Sequence, residues 1–195
     1  MRVGLTVLVA ALALGGCTHS APPRESPAVP VIGSSRPKAG GERTVPDDCD
    51  AVATLDDLTR MLHHFVPGPV RRIVGVPQDD IGRTARLDCY YGLAADQPTA
   101  GAPIWIGLTS YVDEESARKR RTATVADERS AGGTASVNDV VVGDGHGVLI
   151  RAASWMLVAG RGRVTVVVQV VPTMVREDQA GQLLGQVADF ALTKH

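Results

Sequence analysis

The side chains of this chain whose types could do chemistry are few. They are three cysteines, the pair His63-His64, His146 inside a glycine cluster, and the cation run Arg118, Lys119, Arg120 and Arg121. Successive residues of a helix point about 100° apart, so His63 and His64 are poorly set to share a metal ion. No HExxH pattern surrounds them, and the expectation is that one faces solvent and the other the edge of the core. His146 is a possible mobile acid or base, but no nucleophile stands beside it in sequence. The segment Gly143-Asp144-Gly145-His146-Gly147 lacks both the GxGxxG spacing and the terminal Gly-Lys-Ser/Thr of phosphate loops, and it precedes a strand, so it reads as a turn. No Gly-x-Ser-x-Gly elbow is present. Asp56-Asp57 and Asp79-Asp80 read as solvated surface pairs. From these residues no catalytic group, no metal site and no cofactor is assigned.

The four cations allow two readings. One is a solvated helix face balanced by Asp113, Glu114 and Glu115. The other is contact with an anionic surface, either phospholipid head groups or acidic envelope polymers. A short tether to that surface would raise the effective concentration of the contact.

Cys17 follows Leu14, Gly15 and Gly16, which close an apolar stretch (residues 3–14) behind the single charge of Arg2. This is the pattern of a secretory signal over residues 1–16. The apolar stretch is shorter than the roughly 20 residues that span a bilayer. The segment also resembles the lipobox of bacterial lipoproteins: Leu at −3, small residues at −2 and −1, and Cys at +1. That resemblance implies a diacylglyceryl thioether on Cys17, cleavage after Gly16 and acylation of the new amino terminus. The competing reading is ordinary secretion with Cys17 as a free thiol. Lipid would matter because each buried CH₂ contributes about 0.8 kcal/mol, so two or three chains hold firmly where one holds weakly.

Cys49 and Cys89 then remain as an even pair in an exported domain, which reads as a disulfide. The alternative is two reduced, buried thiols. No His or Cys stands at ligand spacing beside either one, which disfavours a metal site.

The chain has 195 residues, and its mature part suits one domain. A formal net charge of −1 argues against a nucleic-acid partner, which needs a basic stripe. Aromatics make up 4 %, too few for extended stacking platforms, whereas 44 % hydrophobic residues suffice for a core. Residues 17–46 contain Pro22, Pro23, Pro27, Pro30, Pro37 and Gly40-Gly41 without periodicity. They read as the lipidated cysteine followed by a disordered tether.

The ectodomain is expected over residues 47–195. Thr54 with Asp57 forms a capping box, followed by Leu55, Leu58, Leu62 and Phe65 on one helix face, with Pro67-Gly68-Pro69 as the stop. Residues 71–76 are a possible short strand. Leu87, Cys89, Tyr91 and Leu93 alternate with polar or small residues, as do Ile104, Ile106 and Leu108. Asp113, Glu114 and Glu115 open a second helix. Apolar runs at 137–142, 148–152, 155–159 and 164–171 follow, two of their junctions marked by glycine-bearing turns. Leu183, Leu184, Val187, Phe190 and Ala191 define a closing amphipathic helix. Tight turns demand antiparallel pairing. The expected fold is therefore α+β: an antiparallel sheet of about six strands, packed on one face by two or three helices. The element order suggests a loosely duplicated helix-plus-strands unit.

With Cys17, Asp48-Cys49-Asp50 and Leu87-Asp88-Cys89-Tyr90 in place, the chain resembles small actinobacterial, mycobacterial-type cell-envelope lipoproteins of unknown function. Extracellular sensor domains of some mycobacterial receptor kinases have a related look, usually with more cysteines. The resemblance supplies no catalytic residues. It implies a lipid-anchored protein on the extracytoplasmic face of the cell membrane. Three functions are compatible: a non-catalytic binding or scaffold module for an envelope protein, polymer or lipid; a lipid or glycolipid carrier with an apolar cavity; and an envelope hydrolase whose site follows no known motif.

Overall fold

The computed structural model describes residues 43–131 and 135–193. These lie in one compact unit, Ala39–His195. The signal segment, Cys17 and nearly all of the expected tether fall outside the described residues.

Helix α1 (Leu55–Leu62) begins as the sequence dictates. Thr54 Oγ1 accepts the Asp57 N–H at 3.1 Å, and Asp57 Oδ2 accepts the Thr54 N–H at 3.1 Å, which satisfies two amides left open by the first turn. The helix ends earlier than its apolar spacing suggests. His63 takes a left-handed conformation, φ 52°, which turns the chain away before Phe65 can join the buried face. Phe65 is accordingly 73 % exposed, and both His63 and His64 face solvent, in place of one against the core.

Seven strands follow: β1 (Arg71–Gly75), β2 (Arg83–Tyr91), β3 (Ile104–Tyr111), β4 (Ser136–Val142), β5 (Gly145–Arg151), β6 (Trp155–Arg161) and β7 (Val164–Val170). They form one antiparallel sheet in the order β1-β2-β3-β7-β6-β5-β4. The possible strand at 71–76 is present as β1, one residue shorter, and makes seven strands against the roughly six expected, as an exposed edge. Two meanders meet where β3 pairs with β7, Leu108 opposite Val166. This central position explains why Val164, Val166, Val168 and Val170 are at most 2 % exposed.

Glycine sets two of the hairpins. Val142 pairs with Gly145 and Arg161 with Val164, which leaves Gly143-Asp144 and Gly162-Arg163 as two-residue turns. Gly143 and Gly162 both have positive φ, in the left-handed region that glycine enters at little cost. The first turn is thus shorter than the glycine cluster around it, and His146 and Gly147 belong to β5.

One sheet face carries Leu87, Cys89, Tyr91, Ile106, Leu108, Leu149 and Leu157, packed with Leu58 and Leu62 of α1 and Leu184 and Val187 of α3 (Ala180–Thr193). The remaining helix, α2 (Glu114–Ala131), lies on the other face, over β3, β5, β6 and β7. The single-sided packing expected from sequence is therefore wrong. The reason is that α2 has no apolar stripe with which to enter the main core; Ala117 is its one buried residue among those described. The two helices that lead the meanders, α1 and α2, consequently pack on opposite faces, so the halves do not repeat one arrangement.

Cys49 and Cys89 form a disulfide, with Cα atoms 5.6 Å apart. It ties the 3-10 turn Cys49–Ala51 to β2, and the Tyr91 hydroxyl donates to the Cys49 carbonyl at 3.3 Å.

Candidate functional site

Helix α2 rests on a sheet face that is itself half polar, and the poor fit leaves clefts on its two sides. Its start is fixed by Asp113, whose carboxylate accepts the Ser116 N–H at 2.7 Å. That bond, with help from the Ser116 hydroxyl, holds the Asp113 carboxyl below its usual range.

The structure divides the four-cation run. Lys119 turns to solvent and its Nζ pairs with Glu115 Oε1 at 2.8 Å. The two stand one helical turn apart, and this partner lowers the Glu115 pKa. Arg120 faces the narrower cleft, about 170 Å³, alongside Thr109 and Tyr111. Arg121 lines both clefts. Its stem lies against Gly160, where an added Cβ would stand 3.0 Å from Arg121 Cδ. Arg118 joins Arg121 at the wider cleft.

The floor of the narrower cleft is a fixed polar cluster. The Asp88 carboxylate is buried and accepts from Arg86 Nε at 2.7 Å, Arg86 Nη2 at 3.1 Å and Trp105 Nε1 at 3.0 Å. The hydrogen bond to Asp88 raises the Arg86 pKa despite partial burial. Gly107 makes this possible: an added Cβ would lie 2.9 Å from Asp88 Oδ1 and 3.1 Å from Trp105 Cζ2. Trp105 also stacks on Tyr90, ring centroids 6.2 Å apart. With its carboxylate oxygens engaged by three donors, this cluster holds β2 and β3 together.

The wider cleft, about 310 Å³, has a different character. Its helix wall carries Arg118, Arg121, Val125 and Arg129; its strand wall carries Asp139, His146, Val148 and Val158. The four helix positions are spaced 0, 3, 7 and 11, one stripe of a helix. No described residue forms a hydrogen bond or ion pair with the side chains of Arg118, Arg121 or Arg129; Arg118 acts on Glu115 only as a neighbouring charge. Among the described residues, Asp139 is the one acidic side chain lining the cleft. Three cations thus surround a valine floor with a single opposing charge.

Arg129 lies beyond the four-cation run that the sequence singles out, although its place on the Arg118 stripe is visible there. His146 and Val148 come to the cleft only through pairing of β5 with β4 and β6. Asp57 serves the capping box expected from sequence and also holds Arg60, at 2.5 Å, so it is engaged where the Asp56-Asp57 pair reads from sequence as solvated. Asp79 and Asp80 sit on an exposed 3-10 turn. Among the described residues, no three His, Cys, Asp or Glu side chains stand close enough to share a metal ion, and no helix is long and apolar enough to cross a membrane.

Known proteins offer only a distant comparison. No protein-family model matches the chain, and no curated protein does. A similar solved structure is the extracellular domain of PknH from Mycobacterium tuberculosis. It is 13 % identical, with a TM-score of 0.47, and the alignment covers 77 % of this chain and 98 % of that one. At that distance no residue role passes from one to the other.

Proposed function

We propose that this protein is an exported, non-catalytic binding module of the cell envelope, anchored by lipid on Cys17, and that its ligand sits in the wider cleft beside α2. Residues 1–16 direct export, residues 17–46 carry the anchor and tether, and residues 47–195 form the binding domain. The Cys49–Cys89 disulfide suits an oxidising compartment. The observation that carries the reading is the cleft itself. Three arginines with no carboxylate partner among the described residues line one cleft with a valine floor, an arrangement that fold stability does not require. The carrier alternative has less support: Leu58, Leu108, Leu157 and Leu184 are fully buried where the sheet meets α1 and α3, and the cleft of about 520 Å³ between β4 and α3 carries Gln182, Gln186 and Asp189 beside Val140 and Val141.

Photo-crosslinking in the intact envelope tests this. A photoreactive residue at Val125 is expected to give an adduct that disappears when Arg118, Arg121 and Arg129 are all changed to Gln. The same group at Val76, 71 % exposed on the far edge of the sheet, is expected to give none. Equal labelling at both positions, or none at Val125, would defeat the reading.

A further inference from the structure

Resting on the cleft as the ligand site, we infer its ligand class: a free, single-chain amphiphile with one carboxylate or phosphate head. The head is held by Arg118 and Arg121, and its first methylenes lie over Val125, Val148 and Val158. Guanidinium groups match carboxylate and phosphate oxygens in a two-pronged geometry that neutral or cationic heads do not offer. Arg121 is partly placed for this before any ligand arrives, because its stem is laid along Gly160. Asp139 is the lining group that opposes an anion, and Arg129 lines the same helix wall as an additional cation.

Charge also separates a free amphiphile from a bilayer surface. Along its whole length α2 sets Glu114, Glu115, Asp127 and Glu128 against Arg118, Lys119, Arg120, Arg121 and Arg129. A membrane plane would meet both signs, whereas the wider cleft sets three arginines against one carboxylate among the described residues. Volume limits the ligand too. The cleft measures about 310 Å³. That is at the small end for ligand pockets, with room for a head and a short stretch of chain, the remainder projecting into solvent.

The test is calorimetric titration of residues 18–195, which include every described residue, with alkyl phosphates and carboxylates kept monomeric. Decyl phosphate and decanoate are expected to bind. Inorganic phosphate, decanol and decyltrimethylammonium are expected to bind at least about tenfold more weakly, since each lacks the anionic head or the chain. Affinity is expected to rise about fourfold per methylene while the chain is inside the cleft, then level off. Arg118→Gln with Arg121→Gln is expected to cost about tenfold or more. An unchanged urea midpoint would show that the double variant is folded. Equal binding of decanol and decyl phosphate would overturn the inference, and so would tighter binding to phosphatidylglycerol vesicles than to monomers. If no amphiphile binds while Val125 still crosslinks, the ligand class is wrong and the site stands. If both fail, the site falls as well.

Discussion

Reducing the Cys49–Cys89 disulfide should cost this domain about 4 kcal/mol. The bridge spans a sequence separation of 40 residues and encloses α1, β1 and most of β2. For a loop of that length the chain-entropy estimate at about 25 °C is about 4 kcal/mol, against a total stability on the order of 5–15 kcal/mol for an ordinary domain. Reduction is a better perturbation than substitution, because both sulfur atoms stay in place. Cys89 is fully buried and Cys49 3 % exposed, so replacing them with Ala would add a cavity cost to the crosslink cost. The contacts that hold the Cys49 turn, with Val52 and Ala53 fully buried, survive reduction, so the domain is expected to remain folded in dilute buffer. Urea unfolding with and without dithiothreitol, followed by tryptophan fluorescence, reads the difference. With a slope of about 2 kcal/mol per molar the midpoint should fall by about 2 M. The slope itself should steepen, because the released denatured chain exposes more surface. A midpoint shift under about 0.5 M would show that the crosslink does little to restrict the unfolded chain and would refute the reasoning.

Asp88→Ala should destabilise the domain by about 2–3 kcal/mol in urea unfolding, because it strands Arg86 and the Trp105 N–H; a loss below about 0.5 kcal/mol would mean that water replaces the carboxylate freely. Stability should also fall in alkali. Burial, with the nearby charge of Asp50, raises the Tyr91 phenol well above its ordinary pKa, so the folded chain keeps a proton that the unfolded chain releases. That contribution is complete below about pH 10 and is lost above it, by at most about 1.4 kcal/mol per pH unit. Tyr91→Phe should flatten this part of the pH profile, and an unchanged slope would count against it.

Much of the framework was legible because local rules and tertiary packing agree. The alternation through Leu87, Cys89 and Tyr91 marked a strand buried on one side, and the glycine clusters at 143–147 and 160–162 marked turns between apolar runs, although β6 runs on through Arg161 and the second turn falls at Gly162-Arg163. Phe65 misled because its spacing continues the Leu55, Leu58, Leu62 series. Periodicity cannot show that His63 adopts a positive φ and ends the helix first. The face occupied by α2 was hidden for a related reason. An apolar stripe tells a helix where to pack, and α2 has only scattered alanines and Val125. Arg129 stands at stripe spacing from Arg118, but a contiguous run of cations ends at Arg121 and draws attention away from the stripe. Val148 and Val158 could not have been joined to that stripe without knowing that β5 pairs with β6.

Whether a ligand occupies the cleft beside α2 is tested most directly by a crystal structure with decyl phosphate. The phosphate should lie within hydrogen-bond distance of Arg118 and Arg121, with the first carbons of the chain against Val148 and Val158. Density for the ligand anywhere else, with the cleft holding only water, would contradict that placement.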